Sequence, residues 1–387
     1  MADLARLVFS DPDYDGQLVR TLTMATVHGA DLGEALAAAR RVGKPDRDAW
    51  HDSWRRTAVA AETAAEQAGD DRASARNAWL RASEYRRQSW FFLRSDLDDP
   101  RLREGYQRHV ADFGAAIALM DHPAEQVRIP YEGTTLNGYL YAPDGSATRR
   151  PTVVMLCGYD STAEYGWVDV PAALERGYGV LVVEGPGQGG ALIEQRLLMR
   201  PDFEKVLTPV LDWLLARPEV DSERVVLFGR SFAGYLAPRA AAFEHRIAAL
   251  VCDPAQPELA ARLPKGPAAR FAAPVVRLQT RRSPLRREFF GARMATHGLT
   301  DVGAYFRELR RYSMTRFANL ITCPTLVIEA EGDFAGGSGP ALVEAIGPRA
   351  ELVRLTAEQG ADGHCGGLGQ QVWAGVVYPW LQRTLTG

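Results

Sequence analysis

The sharpest chemical signal in the chain is a serine closing an apolar run, in Val225-Val-Leu-Phe-Gly-Arg-Ser-Phe-Ala-Gly234. A strand-like stretch leads to Gly229, Ser231 and Ala233, and a helical stretch follows. This is the nucleophile-elbow spacing, with Ala233 in place of the usual second glycine. The serine of an elbow sits on a tight turn, so the residues two before and two after it must be small. The turn lifts the hydroxyl above a sheet and leaves the next amide free. A bare Gly-x-Ser-x-small match is common by chance; between a buried strand and a helix it is far more specific. A serine hydroxyl is a weak nucleophile and needs a base that is itself oriented by an acid.

The usual chain order with an elbow is serine, acid, histidine. His364 lies in Gln359-Gly-Ala-Asp-Gly-His-Cys-Gly-Gly367, a glycine-rich loop between the last strand and the closing helix, and is the expected base. His297 falls in a long insertion and reads as a surface or packing residue. His245 sits at the far end of the elbow helix. His28, His51, His109 and His122 precede the sheet and read as packing residues. Asp333, in the loop after the Thr325–Ile328 strand, is the favoured acid, with Gly332 allowing the turn. Asp253, after Val251-Cys252, is the competitor, and Asp362 is too close to His364 to aim at it. The amides of Phe232 and Tyr159 are the expected oxyanion donors, with Gly158 letting the backbone approach. Glu184-Gly-Pro-Gly-Gln-Gly-Gly190 looks like a phosphate cradle but lacks the Lys and Ser/Thr pair of a P-loop, and reads as a loop at the site rim.

The elements that must position these residues follow from hydrophobic period. Trp50, Trp54, Ala58, Ala61 and Ala65 form one apolar stripe of a helix. Gly69-Asp70-Asp71 breaks it, and Asp71 is the expected N-cap of the next helix, which carries Ala75, Trp79, Ala82 and Tyr85. A third helix is expected over Arg101–Met120. After Asp121 the pattern changes to strands. A hairpin is expected at 126–131 and 136–141 around Glu132-Gly133-Thr134-Thr135. Continuous apolar runs at 152–156, 180–183, 225–228, 248–252, 325–328 and 352–355 suit strands buried on both faces. Helical stretches near 171–176, 203–217, 236–243, 339–346 and 370–385 separate them, which predicts an α/β fold with a mostly parallel sheet. The 72 residues between Cys252 and Thr325, including a helix expected over Ala304–Phe317, read as a lid over the sheet's carboxyl edge.

Composition excludes several classes. The 387 residues are 46% hydrophobic and 24% charged, ordinary for a globular protein, and carry a net charge of −3. That disfavours nucleic acid as a partner, which needs a concentrated basic face. Cys157, Cys252, Cys323 and Cys365 lack the paired short spacing of a zinc site and read as buried thiols of a reducing compartment. The N-terminus has no signal-peptide pattern, and no window approaches the about 18 apolar residues of a spanning helix. A soluble cytoplasmic protein with no membrane partner is expected.

Together these residues resemble the α/β-hydrolase superfamily. Trp-rich N-terminal helices, Cys-Gly-Tyr-Asp-Ser, Glu-Gly-Pro-Gly-Gln-Gly, Gly-Arg-Ser-Phe-Ala-Gly and Gly-Ala-Asp-Gly-His-Cys look like one branch of it. That branch includes the 2,6-dihydroxypseudooxynicotine hydrolases and the fungal polyketide chain-shortening hydrolases of pigment synthesis. The resemblance covers nearly the whole chain. It implies an α/β-hydrolase fold with an N-terminal helical cap at 1–122 and a catalytic domain at 123–387, with the lid insertion at about 253–324. It implies a cofactor-free, metal-free enzyme using Ser231, Asp333 and His364 to hydrolyse a carbon–carbon bond next to a ketone in a small molecule. Gly158, Asp160, Tyr85 and Trp90 are the expected substrate-binding positions, and a homodimer is expected. The pseudooxynicotine enzymes also use an extra acidic residue, to which no position here is assigned. Tyr165, Trp167 and Phe289 are candidates for pocket or core alike. The alternatives are an esterase or acylpeptidase, an acyl-transfer or cyclisation enzyme on the same residues, and a non-catalytic binding protein.

Overall fold

The computed structural model describes residues 7–266 and 269–386. Residues 1–6, part of the N-terminal stretch expected to carry no signal segment, lie outside the described residues. Five helices come first: α1 (Pro12–Thr23), α2 (Leu32–Val42), α3 (Arg47–Gln67), α4 (Arg72–Trp90) and α5 (Pro100–Ile117). Each starts at an aspartate, Asp11, Asp31, Asp46, Asp71 and Asp99, whose carboxylate accepts first-turn amides. Those amides have no partner inside the helix, so the caps explain where each helix begins. The expected apolar stripe of α3 is wholly buried. Trp50 sits at its centre, against Phe9, Tyr14, Trp54 and Phe92, and its indole N–H donates to the Gln88 carbonyl at 2.7 Å.

An eight-stranded sheet follows, in the order β1 (Ala124–Tyr131), β2 (Thr134–Tyr141), β4 (Gly179–Val183), β3 (Arg150–Leu156), β5 (Val220–Arg230), β6 (Ala249–Asp253), β7 (Thr325–Ala330) and β8 (Ala350–Leu355). The pairs β1–β2 and β2–β4 are antiparallel, and every other pair is parallel. The hairpin turns on Glu132-Gly133, both with positive φ, which matches the twist of the flanking strands. The two faces of the sheet are read alternately along each strand. Val153, Met155, Val226, Phe228, Leu326 and Ile328 share one core with α6 (Val170–Leu174), α14 (Gln370–Thr386) and the N-terminal helices. Val154, Leu156, Val225, Leu227, Leu250 and Val327 pack with α8 (Glu204–Leu215), α9 (Ala233–Ala241) and α13 (Gly339–Ile346). The short helix α7 (Gly189–Ile193) lies against α5. Burial on both faces is why the strands lack polar alternation.

The chain between β6 and β7 carries α10 (Ala269–Arg282), α11 (Pro284–Thr296) and α12 (Val302–Leu309). The single helix expected over Ala304–Phe317 is two pieces, α12 and a 3-10 segment at Thr315–Leu320. The Glu258 carboxylate explains the break. It accepts from the Ser313 hydroxyl and the Thr315 amide, while Glu258 and Ser313 form a β-bridge. Beyond the break, Tyr312, Met314, Ala318 and Ile321 are fully buried in the core beside α9 and α13. No described helix is long and apolar enough to cross a membrane.

Replacing Trp50 by Ala removes the aromatic centre of the helical region. Phe or Trp truncations in a well-packed core cost about 3–5 kcal/mol, so a clear drop in stability is expected in denaturant unfolding. A loss under about 1 kcal/mol would mean that this region contributes little to the folded state.

Candidate active site

The parallel strands β3, β5, β6, β7 and β8 end at one edge, and the loops leaving that edge bring the chemistry together. Ser231 follows β5 with φ of +58°, a left-handed conformation unusual for a residue with a side chain. Its amide donates to the Asp253 carbonyl at 2.7 Å, and its carbonyl accepts from the Gly234 amide and the Gln256 side chain. A Cβ at Gly229 would lie 2.3 Å from the Ala233 carbonyl oxygen, so the turn admits no side chain there. Ala233 itself is fully buried with its methyl accommodated, which is why alanine serves at that position.

His364 stands over the serine. Its Nε2 is 2.8 Å from Ser231 Oγ, and its Nδ1 is 2.8 Å from Asp333 Oδ1. The Asp333 carboxylate also accepts from the Ala335 amide at 2.7 Å and the Cys365 amide at 3.1 Å. Burial alone would raise the Asp333 pKa, but the His364 contact and these amides hold it below the ordinary carboxylate value. Burial opposes charging of His364, yet its contacts with Cys365 and the Asp333 carboxylate outweigh this and place the imidazole well above 6.5. The Phe334 ring lies over the imidazole at 4.4 Å.

Asp253 is the acid that does not reach the histidine. Its side chain is fully buried at the end of β6, with the Arg230 Nε at 3.5 Å. Burial pushes its carboxyl up to about 6, with Arg230 working against that rise. Arg230 occupies the variable position of the elbow and is the main residue that sequence reasoning missed. Its guanidinium donates to Asp169 at 2.5 Å and to the Cys365 carbonyl at 2.6 Å, and stacks over Trp373 at 4.5 Å. It therefore joins the serine turn to the histidine loop. Nothing in the local sequence marks an elbow arginine as largely buried.

The Gly158–Asp160 loop after β3 faces the serine. A Cβ on Gly158 would fall 3.2 Å from Ser231 Cβ and 3.3 Å from the Arg230 carbonyl. Among the described residues, the Tyr159 and Phe232 amides make no hydrogen bond. The Tyr159 ring meets the Phe232 ring edge-on at 4.4 Å. Asp160 is ion-paired with Arg94 and lines a small cleft with Trp90, Tyr159, Gly187 and Thr296. Burial would raise the Asp160 pKa, but Arg94, Arg293 and Arg20 hold it well below the ordinary value.

One of the expected substrate positions, Tyr85, needs correction. Tyr85 is fully buried inside the helical region, its ring against Trp54. Its hydroxyl donates to Glu34 at 2.8 Å and accepts from the Asp31 amide, because its face of α4 turns toward α2 and α3. Trp90 is 2% exposed and packs on Tyr106 and Leu102, while also lining the small cleft beside Tyr159 and Asp160. His297, read as a surface or packing residue, is buried, and its imidazole meets the Tyr159 and Tyr312 hydroxyls. The Glu184–Gly190 loop is closed by its own acid. Glu184 accepts from the Ala163 and Gly190 amides, and burial, then Glu164, push its carboxyl up to about 8. The Gly190 amide of the loop is therefore not free for phosphate. The donor atoms of Asp333, His364 and Cys365 lie within 4.8 Å of one another. Both imidazole nitrogens already face Asp333 and Ser231, so a metal ion held there would displace that relay.

A model described as the alpha/beta hydrolase family matches residues 153–372, and one described as esterase FrsA-like matches residues 42–257. Hydrolase acrC of Aspergillus aculeatus is 40% identical over 258 residues, covering 61% of this chain and 60% of its own. Alpha/beta hydrolase psoB of Aspergillus fumigatus is 35% identical over 373 residues, covering 86% and 82%. The chain spans about three fifths of the length of several of the curated relatives it matches. The crystal structure of the 2,6-dihydroxy-pseudo-oxynicotine hydrolase superposes with a TM-score of 0.75 over 96% of this chain and 95% of that one, at 23% identity. That likeness shows the fold.

The two acids are separable by experiment. Asp333→Asn should lower kcat on an activated ester by roughly 10³–10⁴-fold with the fold intact, since the amide supports neither the tautomer nor the charge of His364. Asp253→Asn should cost less than about tenfold. The reverse ranking in steady-state kinetics would make Asp253 the working acid.

Proposed function

The chain belongs to the alpha/beta hydrolase family, and we propose that it is a serine hydrolase that cleaves a carbon–carbon bond next to a ketone in a polyketide-like or aromatic small molecule. The observation that carries the serine-hydrolase part of this reading is the unbroken relay from Ser231 Oγ through His364 to Asp333, with both contacts at 2.8 Å. His364 takes the serine proton as Oγ attacks the carbonyl carbon. The oxyanion forms against the Tyr159 and Phe232 amides. Collapse breaks the bond to the α-carbon, which leaves as an enolate and takes its proton from the His364 imidazolium. Water, deprotonated by the same imidazole, then attacks the acyl-enzyme and releases a carboxylic acid and free Ser231. The bond most open to this chemistry is one whose departing carbon is stabilised by a second carbonyl, as in a β-diketone.

Residues 1–122 act in this reading as a cap and 253–324 as a lid, holding the substrate where both meet the sheet's carboxyl edge. Domain contacts of this kind exclude bulk water and hold a bulky ketone in place. A second reading, hydrolysis of an ester by the same residues, is favoured by the match to the esterase model over 42–257. Relative turnover of a β-diketone and its ester analogue separates the two.

Ser231→Ala should reduce turnover of either substrate at least roughly 10³-fold and abolish labelling by a fluorophosphonate, with an unchanged melting temperature. Turnover near the wild-type rate would remove the covalent mechanism. The pH profile is a separate test. A protonated imidazole cannot accept the serine proton, so kcat/KM should fall as pH drops through the raised pKa of His364, with its acid limb above pH 6.5. In Asp333→Asn the residual activity should show that limb at lower pH, because the carboxylate that favours the imidazolium is gone.

A further inference from the structure

We propose that Arg94 and His297 are positioning residues that set the oxyanion loop from outside the sheet, so that its amide donors are aimed only when the helical region and the 253–324 segment are both packed on it. The proposal rests on the serine-hydrolase reading above. Gly158–Asp160 leaves β3 as an irregular turn, without ladder hydrogen bonds to orient it. Its two side chains are anchored to different parts of the chain. Asp160 is held by the Arg94 guanidinium, which is itself fixed by stacking on the Phe91 ring at 3.9 Å and by donating to the Phe91 carbonyl at 2.8 Å. The pair is largely buried, with side-chain exposures of 14% and 23%. Tyr159 is held by His297, whose Nε2 lies 2.5 Å from the tyrosine hydroxyl, and the Tyr312 hydroxyl lies 3.2 Å from its Nδ1. Tyr305 closes the other side of the imidazole at 5.7 Å.

The two anchors are themselves joined. Ser95, next to Arg94, bonds the Glu288 carboxylate on α11 through its amide and its hydroxyl. A Cβ on Gly291 of the same helix would lie 2.7 Å from Ser95 Cβ, so α11 packs closely on this residue. Six residues after Gly291, at the C-cap of α11, the chain reaches His297. Two adjacent loop residues are thus pinned through their side chains by two segments that touch each other. Losing either pin lets the Gly158–Tyr159 peptide, which carries the Tyr159 amide, turn away from the developing charge. Such a loss is felt in the transition state and not in the bound ester, so it lowers kcat and leaves KM.

The test uses the full chain with p-nitrophenyl acetate, a small activated ester. Arg94→Gln, Asp160→Asn and His297→Gln should each lower kcat about 10- to 100-fold with KM within about threefold, and slow fluorophosphonate labelling of Ser231 by a similar factor. The double variant Arg94→Gln/Asp160→Asn should be no slower than the slower single, since both remove one anchor. Arg94→Lys keeps the charge and should recover part of the rate, which also covers the case in which Arg94→Gln fails to fold. Unchanged kcat with a lowered melting temperature would overturn the proposal and leave these contacts structural. A raised KM at unchanged kcat would overturn it in favour of substrate binding. Ester turnover that survives Ser231→Ala would instead remove the covalent reading, and this proposal with it.

Discussion

The left-handed turn at Ser231 is the constraint around which the carboxyl edge is built. A residue with a side chain at φ of +58° carries a cost of order 1–3 kcal/mol, so it persists only where its surroundings fix it. Here β5 is paired on both sides, by β3 and β6, up to the turn itself. The Ser231 amide is taken by the Asp253 carbonyl at the end of β6. The following helix packs so closely that Gly229 and Gly234 leave no room for a Cβ, the latter facing the Pro254 carbonyl. The backbone strain falls on the residue whose hydroxyl faces His364.

Charge beneath the serine is arranged with equal economy. Arg230 points into the protein, where Asp169, the Cys365 carbonyl and the Trp373 face surround it. A buried guanidinium is tolerated only with such partners, and removing one leaves an uncompensated charge. The same side chain stands beside Asp253, which burial would otherwise drive toward its neutral form. Asp333 has a different environment. Backbone amides and the histidine stabilise its anion, and these are the partners that a carboxylate needs to orient an imidazole. Two acids at neighbouring strand ends are thus separated in character by their surroundings and not by their residue type.

The sequence by itself determined the sheet, the elbow and the loops that carry Asp333 and His364, because each rests on local rules. Strands buried on both faces must be continuously apolar, helices here begin at capping aspartates, and an elbow tolerates only small residues beside its serine. The break at Arg310–Met314 was not legible, since it depends on Glu258, more than fifty positions away. Tyr85 and Trp90 illustrate the same limit. Both are aromatic residues on α4, and periodicity cannot say which neighbour each face of that helix meets. Tertiary structure alone decided that Arg230 turns inward, that Asp253 lies out of hydrogen-bonding contact with His364, and that Arg94 and His297 reach the loop after β3. These are contacts between residues far apart in the chain. Their energies depend on burial and on mutual distance, and neither quantity exists until the chain has folded.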